Sequence, residues 1–86
     1  MSPLELEQAV LDLEEVRIVV RAPLNAQLGD YEYTRKAAGT ASISEWLEQR
    51  ITPLVGNHPV AVVDGSGVSP NRRTRMATIR ATYVQQ

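Results

Sequence analysis

The sequence predicts a single α+β domain, a two-layer sandwich with a four-stranded, mostly antiparallel sheet and two helices on one face. Three observations lead there. Ser2 with Glu5, and Ser42 with Glu45, form two Ser-x-x-Glu capping boxes, each opening an amphipathic run. Strand-like stretches follow each run, at residues 16–21, 31–37, 60–63 and 74–84. A chain of 86 residues holds one hydrophobic core and no second one. The order α-β-β-α-β-β suits a circularly permuted ferredoxin-like sandwich, or a β-grasp-like sheet with an extra N-terminal helix.

Taken in order, Ser2 caps the first helix and Pro3 suits its first position, since proline has no amide hydrogen to leave unpaired there. Leu4, Leu6, Ala9, Val10 and Leu13 make a broad apolar stripe, with Glu5, Gln8, Asp12 and Glu15 outside it. Glu14 and Glu15 oppose the macrodipole at the helix end. That conflict predicts a cation beside them, from Arg17 or from a basic residue of the last strand. In residues 16–21, Val16, Ile18 and Val20 alternate with Arg17, Val19 and Arg21. Residues 23–30 read as a polar connection. Residues 31–37 read as a second strand, setting Tyr31, Tyr33 and Arg35 opposite Glu32, Thr34 and Lys36. These two strands are expected to form an antiparallel hairpin with a long loop.

Ile43, Trp46, Leu47, Arg50 and Ile51 share one face of the second helix. Pro53 predicts that its regular part stops at Thr52, followed by a short turn through Leu54 and Val55. Residues 56–59 are a loop, and Val60 to Val63 a short apolar strand. A Gly/Ser/Pro-rich loop spans residues 64–73. The last strand is expected to direct Ala77, Ile79, Ala81 and Tyr83 to one side, and Thr78, Arg80 and Thr82 to the other. With no Phe, one Trp and three Tyr, the core must be mostly aliphatic.

Composition narrows the functional classes. The chain has no cysteine, which excludes a disulfide scaffold and cysteine-based zinc sites. No stretch is apolar enough to span a bilayer, and no secretory signal is visible at Met1, so a cytoplasmic, soluble protein is expected. Eight Arg against one Lys hint at a GC-rich, bacterial or phage, source.

No catalytic pattern stands out. Asp64-Gly65-Ser66-Gly67 follows a strand, but Pro70 occupies the place of a third dinucleotide-fingerprint glycine and no Gly-Lys pair exists. This stretch reads as a turn. His58, Ser66 and Asp64 could be assembled into a triad only on paper, since nothing in their spacing holds three side chains in register. One histidine without cysteine makes no transition-metal site, and the carboxylates of the first helix are dispersed. The expectation is a non-enzyme without cofactor or metal.

Charge supplies the functional lead. Residues 1–15 contain five acids and no Lys or Arg, whereas residues 69–86 contain Arg72, Arg73, Arg75 and Arg80 and no acid. The net charge is −1. On the expected sheet, Arg17, Arg21, Lys36 and Arg80 would share the open face, with Arg72, Arg73 and Arg75 at the adjoining hairpin. Such a surface fits a protein-binding module (an adaptor, inhibitor, regulator or assembly subunit) engaging a charge-complementary partner or a second copy of the chain. Val60 to Val63, as an edge strand, could accept a partner's strand. The alternative is nucleic-acid binding on the arginine-lined face. Against it stand a pI near 5.7 and the absence of an outward aromatic for base stacking.

Overall fold

Both capping boxes form in the computed structural model, which describes residues 1–83. Ser2 Oγ accepts from the Glu5 amide at 3.2 Å, and the Glu5 carboxylate accepts from the Ser2 amide at 2.8 Å, opening helix α1 (Pro3–Glu14). Ser42 and Glu45 repeat the exchange at 3.2 and 3.0 Å, opening α2 (Ile43–Trp46). The hydrogen bonds to serine, backbone foremost, hold both Glu carboxyls below the usual carboxylate range.

The second helix passes Pro53 instead of stopping before it. α2 leads into a π-helical turn (Leu47–Ile51) and then α3 (Thr52–Val55). Proline cannot donate to a carbonyl one turn back, and its ring collides with that carbonyl in a regular helix. The widened turn, closed by the Thr52 amide bonding to the Leu47 carbonyl, gives the ring room and carries the helix on. Gly56, at φ 61°, ends α3 in a backbone region that disfavours other residues.

Strand β1 (Arg17–Val20) pairs antiparallel with β2 (Val60–Val63), in a register running from Arg17↔Val63 to Val20↔Val60. Val16, Ile18 and Val20 are buried while Arg17, Val19 and Arg21 are exposed, as the alternation predicts. α1 lies along the free edge of β1, and Glu7 reaches across to accept the Val20 amide at 2.8 Å. Helix α4 (Met76–Tyr83) buries Met76 and Ile79. Trp46 is the largest fully buried side chain, packed in one cluster with Leu6, Val10, Ile43, Ile51, Met76 and Ile79. The radius of gyration is 12.1 Å, close to the roughly 12 Å expected of a compact domain this long.

The four-stranded sandwich is therefore replaced by three helical segments around a two-stranded antiparallel sheet, still α+β. Neither the ferredoxin-like nor the β-grasp-like sheet exists among the described residues. Residues 31–37 form no strand. Their backbone is held from the side, by the Ala37 amide bonding to Glu14 at 2.9 Å and by Arg50 on the Arg35 carbonyl at 2.7 Å. β1 consequently takes β2 as its partner, far along the chain, and the expected hairpin is absent. The expected strand over 74–84 is α4 instead. Met76 and Ile79 are buried at helical spacing while Ala77 and Ala81 are exposed, so the core contacts follow the helical period and not the alternation. Val84, the end of that expected strand, lies outside the described residues. Among the described residues no helix is long and apolar enough to cross a membrane.

Candidate functional site

The predicted binding cations fall into two groups, which a buried carboxylate separates. Glu14, at the end of α1, is 0% exposed. Arg50 lies 2.7 Å from its Oε2 and Arg80 lies 2.8 Å from its Oε1. The Tyr31 hydroxyl donates to Oε2 and the Ala37 amide to Oε1. Each oxygen thus accepts two hydrogen bonds, filling the acceptor sites of an ionised carboxylate. Arg80 also donates through Nε to the Glu14 carbonyl at 2.9 Å. One guanidinium therefore satisfies both the side chain and the helix terminus, supplying the cation that the conflict at the end of α1 predicts. It comes from a helix, however, and not from a strand. The neighbouring Glu15 pairs with Lys36.

Around this centre the aromatic residues are ordered in turn. The Trp46 indole donates to the Tyr31 oxygen at 3.2 Å, Tyr31 and Tyr33 meet edge to face at 4.9 Å, and Arg50 lies 4.2 Å from the centre of the Tyr33 ring. α1, the connection over 31–37, the second helix and α4 all meet at one carboxylate. Chemically this is a tie, because every Glu14 oxygen is already occupied by the chain's own donors. Sequence reasoning missed it. The misplaced Glu14 was the available signal, but it did not single out Arg50 or Tyr31.

Burial, followed by the hydrogen bond to Glu14, raises the Tyr31 phenol above its ordinary range. A phenol whose pKa rises on folding contributes stability that is complete below the unfolded-state pKa and is lost as pH climbs through the folded one. Melting temperature is therefore expected to fall once pH passes about 10, the ordinary phenol value. Tyr31→Phe is expected to flatten that alkaline fall; equal slopes for the two proteins in a pH series of melting curves would contradict the assignment.

With Lys36 on Glu15 and Arg80 on Glu14, the expected basic sheet face is not assembled, since neither residue lies on a strand. Arg17 and Arg21 stay exposed on the outer side of β1 and just beyond its end. Arg72, Arg73 and Arg75 are exposed on the segment entering α4. None of these five, nor Arg35, makes an ion pair among the described residues.

The segment carrying Arg72, Arg73 and Arg75 has a held backbone. The Ser44 amide donates to the Arg72 carbonyl at 3.1 Å and the Ile43 amide to the Thr74 carbonyl at 2.9 Å. In return, the Met76 and Ala77 amides at the start of α4 donate to the Ala41 and Gly39 carbonyls at 2.8 and 3.0 Å. Two helix N-termini thus cap one another through their entry segments, joined by a Ser42↔Arg75 bridge. Asn71 tightens the turn by accepting the Arg73 amide at 2.8 Å, and the Arg75 guanidinium rests on the Thr40 carbonyl at 3.2 Å. Arg72 also borders a groove of about 180 Å³ shared with Glu48, His58 and Val60.

The remaining motifs have local structural roles. Asp64 accepts the Ser66 and Val68 amides at 2.8 and 3.0 Å, the turn expected of Asp64-Gly65-Ser66-Gly67. Gly65 packs against the end of α4, where a Cβ would strike the Thr82 carbonyl. His58 precedes β2 and Asp64 follows it, so the strand separates two members of the imagined triad. Among the described residues no three His, Asp or Glu side chains gather as metal ligands would. Comparison with family models, curated proteins and solved structures found no match to this chain.

Proposed function

We propose that this chain is a small non-enzymatic protein-binding module that docks an acidic surface of another protein on Arg72, Arg73 and Arg75. The observation carrying this reading is the contrast between spent and unspent cations. Lys36, Arg50 and Arg80 are committed to Glu15 and Glu14, whereas Arg72, Arg73 and Arg75 have no ion-pair partner among the described residues, Arg75 bonding only to the Thr40 carbonyl, and stand on a backbone fixed by reciprocal helix capping. A fixed backbone lowers the ordering cost of binding, and arginine is favoured at interfaces for its planar, multidentate guanidinium. Arg17, on β1, and Arg21, just beyond its end, are further exposed cations. Nucleic-acid binding loses the four-stranded basic face on which it depended, because Lys36 and Arg80 face inward carboxylates or their neighbours instead.

The test is capture on the tagged chain from its native lysate, divided into nuclease-treated and untreated halves. A stoichiometric protein retained in both halves is the expected result. Recovery of nucleic acid, with the proteins lost on nuclease treatment, would overturn the reading. Salt gives a second discrimination: phosphate contacts weaken log-linearly with salt concentration, and a packed protein interface responds far less.

A further inference from the structure

We propose that the groove between the second helix and Arg72 binds a free aliphatic α-amino acid, of the leucine or valine type. The groove holds about 180 Å³. That is room for about six waters, the bulk of one branched amino acid and too little for a nucleotide or a larger cofactor. Its lining is apolar along the helix. Leu47, Ile51 and Val55 recur at i, i+4 and i+8 through the π-helical turn and α3, all three buried, and half-buried Val60 joins them.

Two charges of opposite sign border the same groove and select a zwitterion as its occupant. Glu48, next to Leu47 on the helix, and Arg72, on the segment entering α4, are both exposed and both line it. Neither makes an ion pair, with the other or elsewhere, among the described residues. The Glu48 carboxylate matches an ammonium and the Arg72 guanidinium a carboxylate, with the imidazole of His58, also on the lining, as a further donor. A purely acidic ligand would oppose Glu48, and a purely basic one Arg72. An aliphatic amino acid satisfies carboxylate, guanidinium and apolar lining together. The frame is held before binding: the Ser44 amide, one turn ahead of Glu48, donates to the Arg72 carbonyl at 3.1 Å, and the His58 amide to the Val55 carbonyl at 3.2 Å. A frame held in this way lowers the ordering cost of binding. Arg73 and Arg75 lie outside the lining, so the site shares only Arg72 with the docking surface proposed above and does not rest on it.

Calorimetric titration of the purified full chain with L-leucine, carried into the millimolar range, tests it. Saturable binding of one leucine per chain is the expected result. N-acetyl-leucine lacks the ammonium and leucinamide lacks the carboxylate, so each should bind about tenfold or more weakly, forfeiting one charge-assisted hydrogen bond. Glycine, without the aliphatic side chain, should not saturate the site. Glu48→Gln should weaken leucine by a similar factor and leave N-acetyl-leucine unchanged. Arg72→Gln should likewise weaken leucine and leave leucinamide unchanged. Both side chains are exposed, so circular dichroism of the two variants should match that of the native chain. Arg73→Glu with Arg75→Glu should leave leucine binding within about twofold, which separates this site from the protein-docking surface. Absence of saturable leucine binding, equal binding of leucine and its two blocked forms, or binding indifferent to Glu48→Gln and Arg72→Gln would each overturn the proposal.

Discussion

Glu14→Ala is expected to destabilise the protein by about 3–5 kcal/mol, the cost of removing one member of a buried ion pair and leaving its partners without a counter-charge. Arg50 and Arg80 are both mostly buried beside Glu14, at 19% and 15% side-chain exposure. The same change strips a partner from the Tyr31 hydroxyl and the Ala37 amide. Against a total stability on the order of 5–15 kcal/mol, this loss would leave the variant marginal. Removing either arginine alone should cost less, because the other still neutralises the carboxylate. Replacing Glu14, Arg50 and Arg80 together by apolar residues of similar volume should recover much of the loss, since it leaves no buried charge to desolvate. Urea unfolding of the single and triple variants measures all of these differences. A Glu14→Ala protein with unchanged midpoint would show that the centre contributes nothing to the fold.

Trp46→Ala is expected to cost a comparable 3–5 kcal/mol or so, through the cavity left by the largest buried side chain. Trp46 is 1% exposed and touches the same core as Leu6, Val10, Met76 and Ile79, so several elements lose packing together. Its indole also donates to the Tyr31 oxygen, which links the apolar core to the Glu14 centre. Trp46→Phe keeps most of the volume and should lose distinctly less. Equal losses for the two substitutions would mean that the hydrogen bond to Tyr31, and not the cavity, decides the effect. Thermal or urea unfolding distinguishes these results.

The features legible in the sequence are those fixed by neighbours along the chain. Capping boxes act over three residues, and both form. Strand alternation at β1 marks the buried Ile18 and Val20, and the helical stripe marks Trp46 and Ile51. Misplacement is different because it resolves through distant residues. Tyr31 and Tyr33 alternate as a strand would, yet Tyr31 is drawn in by a carboxylate from α1, and its neighbours wrap around Arg50. Thr78, Ile79 and Thr82 are β-branched and read as strand. Burial of Met76 and Ile79, together with capping by the entry segment of α2, makes that stretch a helix. Tertiary contacts overrode local propensity there. As for the binding surface, sequence could count arginines but not tell spent from unspent. Arg80 and Lys36 are separated from Arg72, Arg73 and Arg75 only by where Glu14 and Glu15 come to lie.

The most direct test of the central claim is an affinity titration of the captured partner protein against the native chain and against the variant Arg72→Glu, Arg73→Glu, Arg75→Glu. Three close charge contacts, each contributing on the order of 1–2 kcal/mol, predict a loss of about a hundredfold or more in affinity. Circular dichroism of the variant should be unchanged, because the three side chains are exposed and their backbone contacts remain, and its melting temperature should fall only slightly, through loss of the Arg75 guanidinium bond to the Thr40 carbonyl. Equal affinity of the two proteins for that partner would contradict the assignment of the docking surface to Arg72, Arg73 and Arg75.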